Sequence, residues 1–204
     1  MTYIPTKDEI KNQNALIGEF IICFERICAI IRFVILRICY PDYNMIQNNN
    51  IETLLEGLTS DPLRKKLEAL IYDNFPKESD LLSLNKNLSN KFYKMITIRN
   101  TIAHGSMMLG RKSFDGKLSA DTFLLKKSKI TKTGIDKNSI IVNIASIQRL
   151  IKQAHFINNA YSQLWVLIDS NIKEKKKESH LERLKEQIDN IGTIKFDFEN
   201  KITK

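Results

Sequence analysis

The chain has 204 residues, of which 43% are hydrophobic and 27% are charged, so wholesale disorder is excluded and one domain, with or without an appendage, is expected. Its net charge of +9 favours polyanionic partners such as RNA, although a sequence rich in Lys, Ile and Asn can carry such charge without a function. The apolar stretch 15–39 contains five charged residues, each costing about 2.5–3.5 kcal/mol at a bilayer centre, so no membrane partner is expected.

The three cysteines, Cys23, Cys28 and Cys39, all lie in this apolar stretch. Their odd number and their spacing are typical neither of a disulfide framework nor of a zinc site. We interpret them as buried thiols without a disulfide in a reducing compartment. The expected location is therefore cytoplasmic, and neither a metal site nor a cofactor is predicted.

The first helix is predicted from a capping box at Thr6 and Glu9 and from apolar residues at helical spacing that end near Cys39, before Pro41. This helix is apolar on both sides, so it is either central to its domain or shared with a second subunit. The apolar residues opposite its main stripe are Ile22, Phe33 and Leu36.

Three further helices are predicted in the first half of the chain. Two short ones cover residues 51–58 and 62–75, the second with Asp61 as its N-cap and Pro62 in its first turn. The third covers residues 88–104 and ends before a glycine that terminates helices well.

The pattern changes over residues 106–143, where three glycines interrupt the sequence and short strands are predicted at 122–130 and 139–143, as in a hairpin. Basic residues exceed acidic ones by five within 106–138. The insert is therefore a candidate RNA contact, with a solvated loop as the alternative. The basic residues proposed for RNA binding are Arg111, Lys112, Lys126 and Lys127.

The last long helix is predicted over 144–170, capped by Asn143, with an inward stripe that includes Tyr161 and Trp165. A charged helix is predicted over 172–190. Of the remaining histidines, His155 is interpreted as a hydrogen-bonded structural residue and His180 as solvated. We thus expect an all-α antiparallel helical bundle at 1–170, with a small β-hairpin-like insert at 106–143, and a charged helix and tail at 171–204.

The helix at 88–104 places Arg99 in the middle of its apolar stripe. A guanidinium keeps its charge and is costly to bury alone, so it needs a carboxylate, a water-filled groove or an anionic ligand. Asn100 and His104 are four residues apart and share the flank of this stripe. His104 lies in the last turn, where the helix carbonyls favour the imidazolium and Arg99 opposes it. A ring held near neutrality is suited to acid–base chemistry.

The segment from Arg99 to Gly105 resembles the signature of the HEPN superfamily, in which an arginine precedes a polar residue and, after four to six intervening positions, a histidine. Here four positions intervene, and the motif ends a helix that follows a long first helix. The resemblance extends as a helix pattern over roughly residues 7–170, but only these seven residues are specific. It implies a bundle of the HEPN type and a homodimer whose motif helices meet in a groove at the interface.

The resemblance also implies an activity, metal-independent RNA cleavage, in which His104 deprotonates the ribose 2′-hydroxyl and Arg99 stabilises the phosphate, with Asn100 as a third catalytic residue. Single-stranded RNA or tRNA would be the substrate of a toxin or a phage-defence effector, with an antitoxin or defence protein as a partner. Where related toxins carry a modified tyrosine, this chain has Ser106, which puts that form of regulation in doubt. Glu25 and Arg32 of the first helix are possible supporting residues.

Two other interpretations stay open. A catalytically inactive HEPN-like module would bind RNA or a protein and use Arg99 as a structural contact. An unrelated helical protein would carry the motif by chance.

Overall fold

The computed structural model describes residues 6–40, 53, 55–104, 106–109, 122–131, 134–168 and 174–194, with the strands given as backbone. Helices make up most of these residues, so the predicted all-α class is confirmed. In chain order, the elements are α1 (Lys7–Cys39), α2 (Ser60–Asn74), α3 (Ser79–His104), β1 (Ser106–Leu109), β2 (Thr122–Thr131), β3 (Gly134–Asn143), α4 (Ile144–Ile168) and α5 (Glu174–Ile191).

The strands form an antiparallel sheet in the order β1-β2-β3. The pairing sets Lys126 of β2 opposite both Ser106 of β1 and Ser139 of β3. β3 begins at Gly134, five residues before the predicted strand, and β1 was not predicted. The sheet therefore connects the end of α3 to the start of α4.

Two predicted helix starts are confirmed by their caps. Glu9 accepts a hydrogen bond from the Thr6 backbone N–H (2.7 Å), and Thr6 Oγ1 accepts one from the Glu9 N–H (3.3 Å). Asn143 Oδ1 accepts from the Ser146 N–H at 2.7 Å. These bonds satisfy N–H groups that the first turn of a helix leaves without a carbonyl.

The predicted cap of α2 was wrong. The helix begins at Ser60 with Thr59 as the N-cap, so Asp61 lies inside the first turn. There its carboxylate binds Arg64 and Lys65, one turn further along. The Asp61 side chain therefore forms ion pairs within the helix and does not cap its N-terminus.

The chain forms two compact units. The motif unit comprises residues 1–21, 97–152 and 195–204, and the large unit comprises residues 22–96 and 153–194. In the large unit, Phe24 stacks on Phe92 (ring centroids 5.5 Å apart), and Phe92 meets Tyr161 edge to face at 5.8 Å. The motif unit has its own buried residues, which are Gln13, Phe20, Ile98, Thr101, Ile102, Ser146, Ile147, Leu150 and Ile151.

α5 is bonded to other parts of the large unit at both of its ends. Near its start, Lys177 pairs with Glu78. Near its end, Lys91 Nζ donates to the Gly192 carbonyl (2.6 Å) and Gln153 Nε2 donates to the Ile191 carbonyl (2.9 Å). Burial lowers the pKa of Lys91, as does Lys94, while Asp189 acts in the opposite direction.

Three side chains differ from their predicted environments. Trp165, predicted in the core, is 42% exposed, and Cys39, predicted as buried, is also exposed. His180, predicted as solvated, is half-buried and its Nδ1 lies 3.1 Å from Gln163 Oε1. The sequence pattern predicts the direction in which a side chain points from its helix. It does not predict how much of the helix surface the neighbouring elements cover, so exposure can differ from the prediction.

No helix among the described residues combines the length and the apolarity that crossing a bilayer requires.

Candidate active site

The motif lies at the C-terminal end of α3, a helix that continues without a break from Ser79 to His104. Ile98, Thr101 and Ile102 anchor this end because all three are about 95% buried. Thr101 Oγ1 donates to the Thr97 carbonyl at 3.0 Å, which satisfies the buried hydroxyl. The backbone that carries the motif is thus held by packing on one side.

Arg99 is half-buried, with its Nε atom in the protein interior. Its Nη1 donates to Asn100 Oδ1 over 3.4 Å, near the upper limit for such a bond. This contact is weak because the acceptor is neutral and the distance is long, and it is not the only interaction of Arg99. Hydrogen bonds from a guanidinium to an anion are shorter and stronger than this one.

His104 is the last residue of α3, and its side chain is exposed. At 100° per residue, it lies about 140° around the helix from Arg99 and about 40° from Asn100. Asn100 therefore lies between Arg99 and His104 around the helix, and it contacts Arg99.

The two proposed supporting residues belong to the large unit. Glu25 is exposed on α1, and Arg32 is half-buried two helical turns further along. Arg32 Nε donates to the Leu55 carbonyl at 3.3 Å. Its observed contact therefore connects α1 to the segment around Leu55, and the catalytic support proposed for both residues stays a prediction.

The basic insert is only partly described. Lys126 and Lys127 are consecutive residues of β2, where Lys127 pairs with Asn138 of β3. Arg111 and Lys112 lie outside the described residues. The RNA-binding role proposed for these four residues stays a prediction.

One polar cluster, centred on Arg64, was missed by the sequence analysis. Arg64 is about 9% exposed and donates to Asp61 Oδ1 (2.8 and 3.0 Å), Glu68 Oε2 (3.1 Å) and Ser89 Oγ (2.7 Å). Its guanidinium carbon also lies 5.2 Å from the centre of the Tyr93 ring. Ser89 in turn donates to Glu68 at 2.9 Å. The i, i+3 and i, i+4 spacing of the two carboxylates was visible in the sequence, whereas Ser89 comes from another helix.

The sequence analysis did not predict the burial of Gln13, and it predicted a hydrogen bond for His155 without naming the partner. Gln13 is 2% exposed and belongs to the motif unit, where it takes a place that the apolar spacing of α1 would give to a hydrophobic residue. In the large unit, His155 Nε2 lies 3.6 Å from Cys23 Sγ. The hydrogen bond predicted for His155 is thereby confirmed, but its side chain is exposed, so the structural role stays a prediction.

Among the residues that the structure describes, no three His, Cys, Asp or Glu side chains are grouped as metal ligands would be. Comparisons with protein-family models, with curated proteins and with solved structures find no match to this chain.

Proposed function

We propose that the chain is a metal-independent endoribonuclease of the HEPN type, with Arg99, Asn100 and His104 as its catalytic residues. The observation that carries the proposal is the end of α3, where a half-buried arginine, an amide and an exposed histidine follow one another on a helix held by buried neighbours. One hydrogen bond of the guanidinium goes to the neutral amide of Asn100. A phosphate oxygen is a stronger acceptor for it.

RNA requires few protein groups for this reaction because it carries its own nucleophile. His104 takes the proton of the ribose 2′-hydroxyl, and the 2′-oxygen attacks the adjacent phosphorus. Arg99 stabilises the charge that develops on the phosphate oxygens. The bond to the 5′-oxygen breaks and this oxygen takes a proton from water, which leaves a 2′,3′-cyclic phosphate and a 5′-hydroxyl.

The proposal includes a homodimer. Arg99 and His104 diverge by about 140° around one helix, so a single α3 does not direct both side chains at one small group. Two motif helices that face each other supply an arginine and a histidine to one groove. The proposed substrate is single-stranded RNA or tRNA, and the proposed setting is a toxin or phage-defence effector controlled by a partner protein.

The same divergence favours a second candidate, a catalytically inactive module that binds RNA or a protein. In such a module, Arg99 orders the end of α3 through Asn100, and His104 has no chemical role. It predicts RNA binding without cleavage under all conditions and a loss of stability or of the dimer in Arg99→Ala.

The test is cleavage of labelled single-stranded RNA and of tRNA in EDTA, with analysis of the product ends. We expect cyclic phosphate at the 3′ end of the upstream fragment and a loss of cleavage of at least about a hundredfold in His104→Ala. The fold should survive because the side chain is exposed. His180→Ala removes a histidine of the large unit and should cleave like the wild type.

Intact cleavage by the His104→Ala protein would exclude this mechanism. RNA that is bound but never cut would favour the inactive module.

A further inference from the structure

The end of α3 is followed almost directly by the sheet of the motif unit. His104 is the last residue of α3, and β1 begins at Ser106, which is paired with Lys126 of β2. Two residues of chain span at most about 7 Å, and paired Cα atoms of antiparallel strands are about 4.5–5.5 Å apart. The Cα atom of Lys126 therefore lies within about 13 Å of that of His104.

The register divides the residues of the sheet between two faces. Successive residues of a strand belong to opposite faces, and residues paired across strands belong to the same face. Ser106, Lys126 and Ser139 therefore share one face, which we call the Ser106 face. Lys137 is paired with Ser128, two positions along β2 from Lys126, so it belongs to this face as well. The diagonal between the two lysines is about 7–8 Å.

The two faces differ in charge. Among the strand residues that the structure describes, the Ser106 face has two lysines and no acidic residue. The other face has Lys127 and Lys129, but the register sets Asp136 opposite Lys129. A carboxylate beside a lysine reduces the attraction of that face for a polyanion. The Ser106 face is thus the more strongly basic one, and serine hydroxyls of the kind found beside its lysines also bind phosphate oxygens.

The direction of the strands places both lysines at the end of the sheet that is joined to α3. β1 begins at Ser106, next to the end of α3, and proceeds to Leu109, while β2 runs antiparallel to it. The residues of β2 after Lys126 therefore continue past the start of β1, and β3 pairs with them there. Lys137 belongs to this part of the hairpin. The basic part of the Ser106 face thus begins where the motif ends.

We propose that Lys126 and Lys137 bind phosphates of the RNA strand beside the cleaved bond, so that the Ser106 face extends the site at the end of α3. The inference rests on the proposed function, because it takes this end of α3 as the place where RNA is cut. It adds the substrate class, a strand of several nucleotides, since a dinucleotide has a single phosphate and Arg99 binds it. An ammonium group binds phosphate as a point charge and does not distinguish bases. The two lysines therefore position the strand without selecting its sequence.

The first experiment measures binding without cleavage. Each lysine is replaced in the His104→Ala protein, and a short fluorescent single-stranded RNA is titrated at several salt concentrations. We expect Lys126→Ala and Lys137→Ala each to weaken binding at least about threefold and to reduce the slope of log Ka against log salt concentration by about 0.7. Lys126→Arg keeps the charge and should keep the slope. Lys129→Ala is the matched control, because it removes the same charge from the other face of the same strand, and it should change the slope much less.

Two results of this experiment would overturn the proposal. Equal weakening by Lys126→Ala and Lys129→Ala would mean that the RNA responds to net charge alone. A protein that binds no RNA would have no phosphate contacts on either face. Circular dichroism checks that each variant is folded, and Lys126→Arg separates the loss of charge from any change in the sheet.

The second experiment compares substrates of different length in the protein with an intact motif. On the longer RNA, Lys126→Ala should raise KM at least about threefold and leave kcat unchanged, because a contact beside the cleaved bond holds substrate and transition state equally. On a dinucleotide, Lys126→Ala should cleave as fast as the wild type. A kcat that falls on both substrates would contradict the proposed position of the lysine.

The two proposals fail in different ways. A protein that binds RNA through Lys126 and Lys137 but never cuts it would reject the nuclease and retain the Ser106 face as a binding surface. Cleavage of long RNA that is the same in Lys126→Ala, Lys137→Ala and Lys129→Ala would retain the nuclease and reject this face.

Discussion

Arg64 is buried and Arg99 is half-buried, and their surroundings differ. Arg64 is bound by two carboxylates and a hydroxyl and lies over an aromatic ring. Arg99 is half-buried, and the hydrogen bond described above goes to the neutral amide of the next residue. The Arg64 cluster balances its charge with carboxylates of the same unit, whereas Arg99 is a partly exposed cation on the helix turn that ends in His104.

The contrast indicates where each arginine acts. A charge that is compensated by side chains of the same unit contributes to folding, and its removal leaves carboxylates without their partner. A guanidinium that is partly exposed to solvent can bind an anion. We therefore expect changes at Arg64 to affect stability and changes at Arg99 to affect cleavage.

The largest expected effect is on the rate of RNA cleavage in Arg99→Ala. Loss of the group that stabilises the phosphate should lower the rate by about a hundred- to a thousandfold, which corresponds to about 3–4 kcal/mol in the barrier. Arg99→Lys should restore only part of the rate because an ammonium group cannot bind two oxygens in parallel. Lys94→Ala, an exposed residue of the same helix, is the control and should retain full activity. Equal rates for all three variants would contradict the role of Arg99.

The next effect is on stability in Arg64→Ala. We expect the free energy of unfolding in urea to fall by about 2–4 kcal/mol, somewhat below the range for a fully buried ion pair because Asp61 and Glu68 are partly exposed. Lys65→Ala removes an exposed partner of Asp61 and should cost less than about 1 kcal/mol. An Arg64→Ala protein as stable as Lys65→Ala would remove the distinction between the two arginines.

A smaller effect is expected for Ser89→Ala, which deletes the hydroxyl that connects Arg64 to Glu68. The loss should be about 1–2 kcal/mol, because the arginine and the glutamate still bind each other directly. Ser83→Ala changes an exposed serine of α3 and serves as the reference in chemical denaturation. If both variants lose the same stability, the hydroxyl of Ser89 contributes nothing specific.

The smallest effect is a pH dependence at Asp61. Burial raises the pKa of this carboxyl, but hydrogen bonds and charges from Lys65 and Arg64 outweigh burial and lower it overall. The ion pairs therefore stabilise the fold above the ordinary pKa of about 4, and this contribution disappears as the pH falls and the carboxyl is protonated. Asp61→Asn should be less stable than the wild type at neutral pH by under about 1 kcal/mol. Urea titrations near pH 7 and pH 3 should find that the difference shrinks at low pH, and a constant difference would contradict this account.

Sequence reasoning predicted the long helices best, because α1 and α4 combine a strong apolar period with caps at Thr6 and Asn143. It placed the start of α3 at residue 88, although the helix begins at Ser79. Asn85 and Ser89 occupy inward positions of this helix and are about 3% and 2% exposed. Buried polar residues interrupt the apolar period, so the pattern alone could not extend the helix to its true start.

For the candidate site, the helical wheel predicted the inward direction of Arg99, and the described side chain is half-buried. The Arg64 cluster was not predicted because its third partner, Ser89, is 25 residues away in the chain. A local spacing can indicate pairs on one helix, but not which residue of another helix completes them. For the same reason, the bond from Arg32, proposed as a supporting residue, to the Leu55 carbonyl was not anticipated.

The bonds that hold the end of α5 have a consequence for shortened forms of the protein. Gln153 is about 7% exposed, and its amide nitrogen donates to the carbonyls of Ile191 and Thr193. A chain cut before residue 191 loses both acceptors and leaves a buried amide that must find water or rearrange. Removal of the charged tail would therefore destabilise α4, the helix that carries Gln153. Fragments meant to isolate the motif should retain the chain through Ile194.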